Sequence, residues 1–277
     1  MSDDDNDERH TLLRTLDRGL RVLETVAAGD GSATAKVLSR QLDIKIGTCY
    51  HLLRTLVVGG YVVRLSGGRY DVGPKAASLS RHLQRRSGPS PELAVVLARL
   101  HARTQETSYL AGWYHGSLVL QHYLTGAHTL HVAALDVGYS AHTHARASCR
   151  AVLAHLPPEQ VAVMYEGLQL APLTPHTITD FEQLTVELAA VRRQGYAIER
   201  EEFTPGVACV SAAFFKEDGA PAGAFAVAVP VSRFDERRDQ LVVGVREAAS
   251  MATSLLRTGR LGVPARFPSV RSDSHAS

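Results

Sequence analysis

The stretch Lys45-Ile46-Gly47-Thr48-Cys49-Tyr50-His51 gathers hydrogen-bonding side chains at helical spacing. Lys45, Thr48 and His51 fall near one face under the three-to-four-residue rule, and Arg54 continues it. Their donors and acceptors match base edges and phosphate oxygens. Gly47 costs about 1 kcal/mol in a helix interior relative to Ala, but a missing side chain permits close approach to a duplex. Tyr50 belongs to the same candidate face, although Tyr50 and Cys49 suit packing equally well. Arg64 and Arg69 flank Ser66-Gly67-Gly68, where a turn would offer cations to phosphates or a minor groove. Each residue taken singly reads as solvated surface; the arrangement carries the signal.

Other chemistry is less well supplied. The 13 histidines invite metal binding, and His142-x-His144 with Cys149 has ligand-like types. His128 and His131, at odd spacing in an expected strand, would face opposite sides. There is no His-Glu-x-x-His, no Cys-x-x-Cys, no Gly-x-Ser-x-Gly and no Gly-rich phosphate loop. No catalytic residue, resident metal or cofactor is expected. A metal-binding sensor or enzyme using the His and Cys residues of the second half is the alternative.

The elements that must hold the basic face come first in the chain. Apolar residues Leu13, Leu16, Leu20, Leu23 and Ala27 predict a helix from about Leu16 to Ala27, capped by Thr15 with Asp17 in its first turn. A second helix is expected from Thr34 to Leu42 and a third from Lys45 to Val58, with Gly59-Gly60 as a left-handed cap. Tyr61–Leu65 and Arg69–Gly73 around a Gly-Gly turn read as a hairpin. Three short helices and a hairpin make a winged helix-turn-helix over 11–73. Residues 74–88 read as a linker helix, ended by Gly88-Pro89.

The remainder, 89–258, changes character. Helices are expected at Pro91–Thr104, 146–155, 159–168, 180–194 and Asp235–Leu256. Strands are expected at Tyr109–Trp113, Leu118–Leu124, Thr129–Ala134, Tyr196–Ile198, Val207–Phe215 and Gly223–Val231. This grouping predicts an α+β domain with one curved sheet. Residues 1–10 and 259–277 read as disordered tails.

Charge separates the two halves. Residues 9–86 carry 14 Lys and Arg against 5 Asp and Glu, whereas 87–256 carry 12 against 17. A basic module joined to an acidic one fits a DNA-binding domain fused to a domain that does not touch DNA. The 45% hydrophobic fraction supports buried cores. No run of about 18 apolar residues predicts a membrane span, and the acidic start does not read as a signal peptide. Three widely spaced cysteines fit a reduced cytoplasmic protein.

Over about residues 11–258 the sequence resembles the IclR family of transcriptional regulators. The resemblance lies in Thr15–Glu24, Thr48–Leu56 with Gly60-Tyr61-Val62, and Arg69–Pro74. It continues in Leu173–Asp180, Val191–Ala197 and Glu202–Val210. It implies a GAF-like effector-binding domain at the C-terminal end and a homodimer or homotetramer on a pseudo-palindromic double-stranded DNA operator. It also implies a small-molecule effector, repression more than activation, and no catalysis. A ligand-free dimeric architectural DNA binder is a further alternative. His51 stands where the family usually has Arg, giving up a permanent charge and a bidentate fork.

The resemblance also places the effector site. The helix start around Ser148 and Cys149 would offer backbone N–H groups to a carboxylate, with Cys149 in place of the usual Gly. Glu199 stands where many members have Asp, and Cys209 matches the family's Cys. Ala226 and Ala228 occupy positions that are often Ser. These substitutions imply a less polar site and a larger, more apolar acid, with Glu199 protonated, turned away or paired with a ligand donor.

Overall fold

The computed structural model describes residues 13–87, 89–126 and 137–259. The chain divides into two compact units, Met1–Arg86 and Ser87–Ser277. The expected strand at Thr129–Ala134, with His128 and His131, lies outside the described residues, as do 1–10 and 260–277.

In the first unit, α1 (Arg14–Ala27), α2 (Ala35–Gln41) and α3 (Ile46–Val58) precede β1 (Val62–Arg64) and β2 (Tyr70–Val72). The two strands pair antiparallel, Val62 opposite Val72, around a 3-10 turn at Ser66–Gly68. Gly67 and Gly68 both take φ above +70°, which only glycine adopts freely. The Thr34 hydroxyl caps α2 by accepting from the Val37 N–H. A bridge from Thr34 to Arg69, and the Tyr70 N–H donating to the Ala33 carbonyl (2.8 Å), fix the hairpin against the start of α2. Helix α4 (Pro74–Ser87) follows.

The core of this unit corrects the expectation for α1. Leu13, Leu16 and Leu20 are 66, 59 and 50% exposed, whereas Val22 and Val26 are fully buried with Leu38, Cys49 and Leu53. Both sets have helical spacing, but at about 100° per residue they lie roughly a third of a turn apart. The valines face α2 and α3, Leu23 packs half-buried beside them, and Leu13, Leu16 and Leu20 are left outside. Thr15 is within the helix, and Leu13 stands at its start without a side-chain cap. Of the glycine pair after α3, Gly59 is right-handed and Gly60 (φ 75°) makes the turn.

The second unit is one antiparallel sheet of order β4-β3-β7-β6-β5, clad with helices on both faces. Its elements are α5 (Pro91–Thr104), β3 (Thr107–Tyr114), β4 (Ser117–Leu124), α6 (Ala147–Leu153) and α7 (Pro158–Tyr165). Then come α8 (Phe181–Gln194), β5 (Ala197–Arg200), β6 (Val207–Phe215), β7 (Pro221–Pro230) and α9 (Val231–Thr258). Side chains alternate across each strand. Leu110, Val210, Phe225 and Val227 pack under α5 and α9, while Ala111, Ala213 and Ala224 face α6 and α8. Helix α9 begins four residues before the expected Asp235, because Phe234 anchors its first turn in the core.

Leu93, Val96, Leu97 and Leu100 of α5 are buried in this core. The apolar stripe of α5 is thus consumed by the unit's own sheet and α9. The buried Glu106 carboxylate, at the start of β3, is held by Arg233 and Arg237 of α9. At Gly223 of β7 an added methyl would overlap the Ala111 carbonyl and the Phe214 ring, so β7 lies tightly against β3 beside the face described next.

Candidate ligand cavity and nucleic-acid face

Strand register assembles the site. Glu199 pairs with Cys209, Cys209 with Ala228, and Ala226 with Tyr109. Residues up to 119 positions apart in sequence thus form adjacent rows on the α6 side of the sheet. The start of α6 crosses this patch with Arg146, Ala147 and Ser148, and Phe203 closes the far side. A cavity of about 30 Å³ remains. That is small beside the sites that hold drug-sized ligands.

Of the residues expected here, Ser148, Glu199, Cys209, Ala226 and Ala228 border the cavity. Cys149 does not. It is buried one residue, or about 100°, further round α6, in the apolar cluster with Leu118, Val152 and Leu184. Sequence reasoning missed Arg146, Tyr109 and Phe203. A signal for Arg146 was available: it and Arg150 stand four residues apart across an alanine-rich helix start, which puts two cations on one face.

Glu199 is buried, and its Oε2 accepts from the N–H groups of Glu202 (3.1 Å) and Phe203 (3.4 Å). Burial pushes its carboxyl up to about 8. The Glu202 carboxylate adds to this, while the two N–H groups and Arg150 oppose it. Of the arrangements expected for Glu199, protonation at neutral pH is therefore the one its surroundings favour. Burial also pushes the Cys209 thiol well up, with Glu199 adding, and raises those of Cys149 and Cys49. Neutral buried thiols are poor nucleophiles and poor metal ligands.

The walls are locked by Arg150. Its Nε donates to the His144 carbonyl (2.7 Å), and its two Nη atoms grip both oxygens of Glu202. The Thr174 and Thr177 hydroxyls donate to the carbonyls of Glu201 and Glu202, both at 2.6 Å. Asp180 caps α8 through the Gln183 N–H, and Gly195 (φ 78°) ends it. His144 bonds the Ala171 carbonyl (3.0 Å), and His142 the Tyr139 hydroxyl (2.6 Å). No group of three His, Cys, Asp or Glu is placed to hold a metal among the described residues.

On the first unit, Lys45, Gly47, Tyr50, His51 and Arg54 are exposed along α3, Thr48 is half-buried, and Cys49 is buried core. A Cβ on Gly47 would meet open space, so internal packing does not require glycine there. Arg64 and Arg69 are exposed beside the turn, Arg69 donating through Nε to the Ser66 carbonyl (3.3 Å).

A helix-turn-helix with a wing, joined to an α+β domain, is the architecture of a DNA-binding transcriptional regulator. Residues 15–66 match the IclR helix-turn-helix domain, and residues 91–254 match the C-terminal domain of the bacterial transcriptional regulator IclR. The chain belongs to the IclR family, whose members are transcriptional regulators rather than enzymes. It is 31% identical over 241 residues to the HTH-type transcriptional regulator BhcR of Paracoccus denitrificans, covering 85% of this chain and 86% of that one. It is 29% identical over 250 residues to the transcriptional repressor IclR of Escherichia coli, covering 87% and 89%. In fold it is similar to an IclR homologue from Microbacterium hydrocarbonoxydans crystallised with 4-hydroxybenzoate. The TM-score there is 0.68 at 23% identity, over 88% of this chain and 99% of that one. No helix among the described residues is long and apolar enough to cross a membrane.

The Glu199 environment makes a pH-dependent prediction. Its folded value lies above the unfolded one, so the bound proton stabilises the fold fully below the unfolded value. That stabilisation drains as pH rises toward about 8. Across this window each pH unit removes up to about 1.4 kcal/mol. Glu202, Arg150 and Cys209 face the same group. Relative to the wild type, Glu199→Gln should gain several degrees of melting temperature between pH 5 and pH 8, read by calorimetry. A difference that stays flat over that range would show that Glu199 ionises normally.

Proposed function

We propose that this regulator is a repressor whose affinity for a pseudo-palindromic operator is modulated by a small organic acid bound in the cavity of the second unit. The observation that carries the reading is the convergence of Ser148, Glu199, Cys209, Ala226 and Ala228 on one small, mostly apolar cavity. Concave sites with a few convergent polar groups are the usual form of small-molecule sites. Repression is supported by similarity to the Escherichia coli repressor, and an acid with an apolar body by the 4-hydroxybenzoate of the structural neighbour. Blocking the cavity tests this directly. Ala226→Phe should abolish calorimetric binding of the acid that releases the wild type from its operator, leaving affinity for DNA nearly unchanged. Undiminished binding by the variant would put the ligand elsewhere.

For DNA, we assign Lys45, Gly47, Thr48, Tyr50, His51 and Arg54 to the major groove and its flanking phosphates. Arg64 and Arg69 are assigned to the wing contacts. The exposure of these residues and the positive charge of residues 9–86 support this. Arg64→Ala should weaken binding to all sequences and flatten the salt dependence by about one unit. Thr48→Ala or His51→Ala should instead shift sequence preference, at about 1–3 kcal/mol per lost contact. Fluorescence anisotropy over a salt series distinguishes the two outcomes, and an unchanged slope for Arg64→Ala would remove the wing from the interface.

A winged helix reads one half-site, so an even-numbered assembly must hold two at fixed spacing. The exposed leucines Leu13, Leu16 and Leu20 are the apolar surface that favours α1 for this role. Light scattering should show a dimer or a larger even oligomer, and the double variant Leu16→Glu, Leu20→Glu should lose cooperative binding to a two-half-site duplex. A wild type that stays monomeric at micromolar concentration, on and off DNA, would contradict this.

A further inference from the structure

Two arginines open α6, both buried, and their surroundings differ. Arg150 is neutralised by Glu202. Arg146, only 5% exposed, borders the cavity, and among the described residues no carboxylate pairs with it. Its Nη1 donates to the Ala141 carbonyl at 3.3 Å, and its guanidinium lies 5.0 Å from the centre of the Tyr139 ring. A guanidinium carries five N–H donors and keeps its charge in proteins. Holding one out of water on a single long hydrogen bond and an aromatic face leaves most of its bonding capacity unused.

The rest of the cavity wall sharpens the contrast. Cys209 and the alanines are uncharged there, and Tyr109, Leu120 and Phe203 are bulky and largely apolar. Ser148 and Glu199 are the other polar groups on the wall, and Glu199 is already engaged by the Glu202 and Phe203 N–H groups. A fixed cation on such a mostly apolar wall is the complement of a monoanion with a hydrocarbon or aromatic body. We propose that Arg146 is the anion-recognition residue of this cavity, taking the carboxylate of a monocarboxylic effector through its planar fork while the effector's apolar body lies over Ala226 and Ala228. The inference rests on the reading of the cavity as the effector site. It makes the guanidinium, rather than the N–H groups of α6, the main counter-charge. The same carboxylate would draw Arg146 off Tyr139 and Ala141, which is one of the displacements that entry into so small a cavity demands.

The test uses the full chain and four matched pairs: benzoate and benzamide, 4-hydroxybenzoate and 4-hydroxybenzamide, phenylacetate and phenylacetamide, hexanoate and hexanamide. Each amide keeps the shape of its acid and removes the charge. Calorimetry should find at least one acid bound tenfold or more tightly than its amide. Arg146→Gln should weaken that acid at least tenfold and the amide less than threefold, erasing the preference. Arg146→Lys, which keeps the charge and loses the fork, should retain a reduced preference. Without ligand, Arg146→Gln should melt at or above the wild-type temperature, because a poorly compensated buried cation has been removed. A preference that survives Arg146→Gln, a lower melting temperature for that variant, or a panel in which no acid exceeds its amide would each overturn the inference. Ala226→Phe separates the two levels. If it blocks both acid and amide, the cavity reading stands whatever Arg146 does; if binding persists, the cavity reading itself fails.

Discussion

The cavity face of the second unit depends on the ion pair between Arg150 and Glu202. Arg150 is almost wholly buried, and a buried guanidinium is tolerable only when its charge and its donors are both met. Glu202 meets two of them and the His144 carbonyl a third. The pair fastens α6 to the chain leaving β5, and those two segments are the walls of the cavity. Because Glu202 is held, its N–H and that of Phe203 point at Glu199, and its carbonyl is available to Thr177. Thr174 and Thr177 therefore act at one remove, fixing the backbone whose side chains form the wall. Pairs of this kind add little net stability over an apolar replacement, but losing one partner costs about 3–5 kcal/mol. The geometry is thereby committed to one arrangement.

The groups on these walls suit the proposed binding role. The Cys209 thiol is pushed toward its neutral form by burial, with Glu199 adding. His144 has its Nε2 on a backbone carbonyl, and burial lowers its affinity for a proton. A protonated Glu199 suits the proposed effector, since an ionised carboxylate on the cavity wall would oppose an anionic guest.

Most of the secondary structure was legible because hydrophobic period and turn residues agreed with it. The bounds expected for Pro91–Thr104 and Val207–Phe215 are those observed. What failed was the choice between two faces of the same period. Helix α1 carries a leucine stripe and a valine pair, and only packing against α2 and α3 decides which goes inward. The buried stripe of α5 was equally visible, but sequence alone does not tell whether the cover is the chain's own sheet or a second copy. The cavity divides the same way. Family resemblance pointed to Glu199, Cys209, Ala226 and Ala228, and register explains why they meet. Tyr109 and Phe203 were missed because their placement follows from how the segment after β5 and the neighbouring strands cross the sheet, which no local pattern records, whereas the spacing of Arg146 from Arg150 did signal a charged helix start. Cys149 was misplaced by a single helical step.

The smallness of the cavity gives the proposed effector its leverage. A guest the size of an aromatic acid would part groups that now touch. Phe203 sits edge-on to Tyr139 with ring centres 5.9 Å apart, Tyr139 is bonded to His142, and Arg146 lies against Tyr139. Tyr139 is in turn pinned to β4, where Leu120 both donates to its carbonyl and accepts from the Gly138 N–H. A ligand shifts a conformational equilibrium only by its difference in affinity for the two states. A preformed roomy pocket would bind with little such difference. In a small one that widens at Phe203 and Arg146, binding of the proposed effector would be coupled to movement of these side chains and of the Tyr139 they lie against.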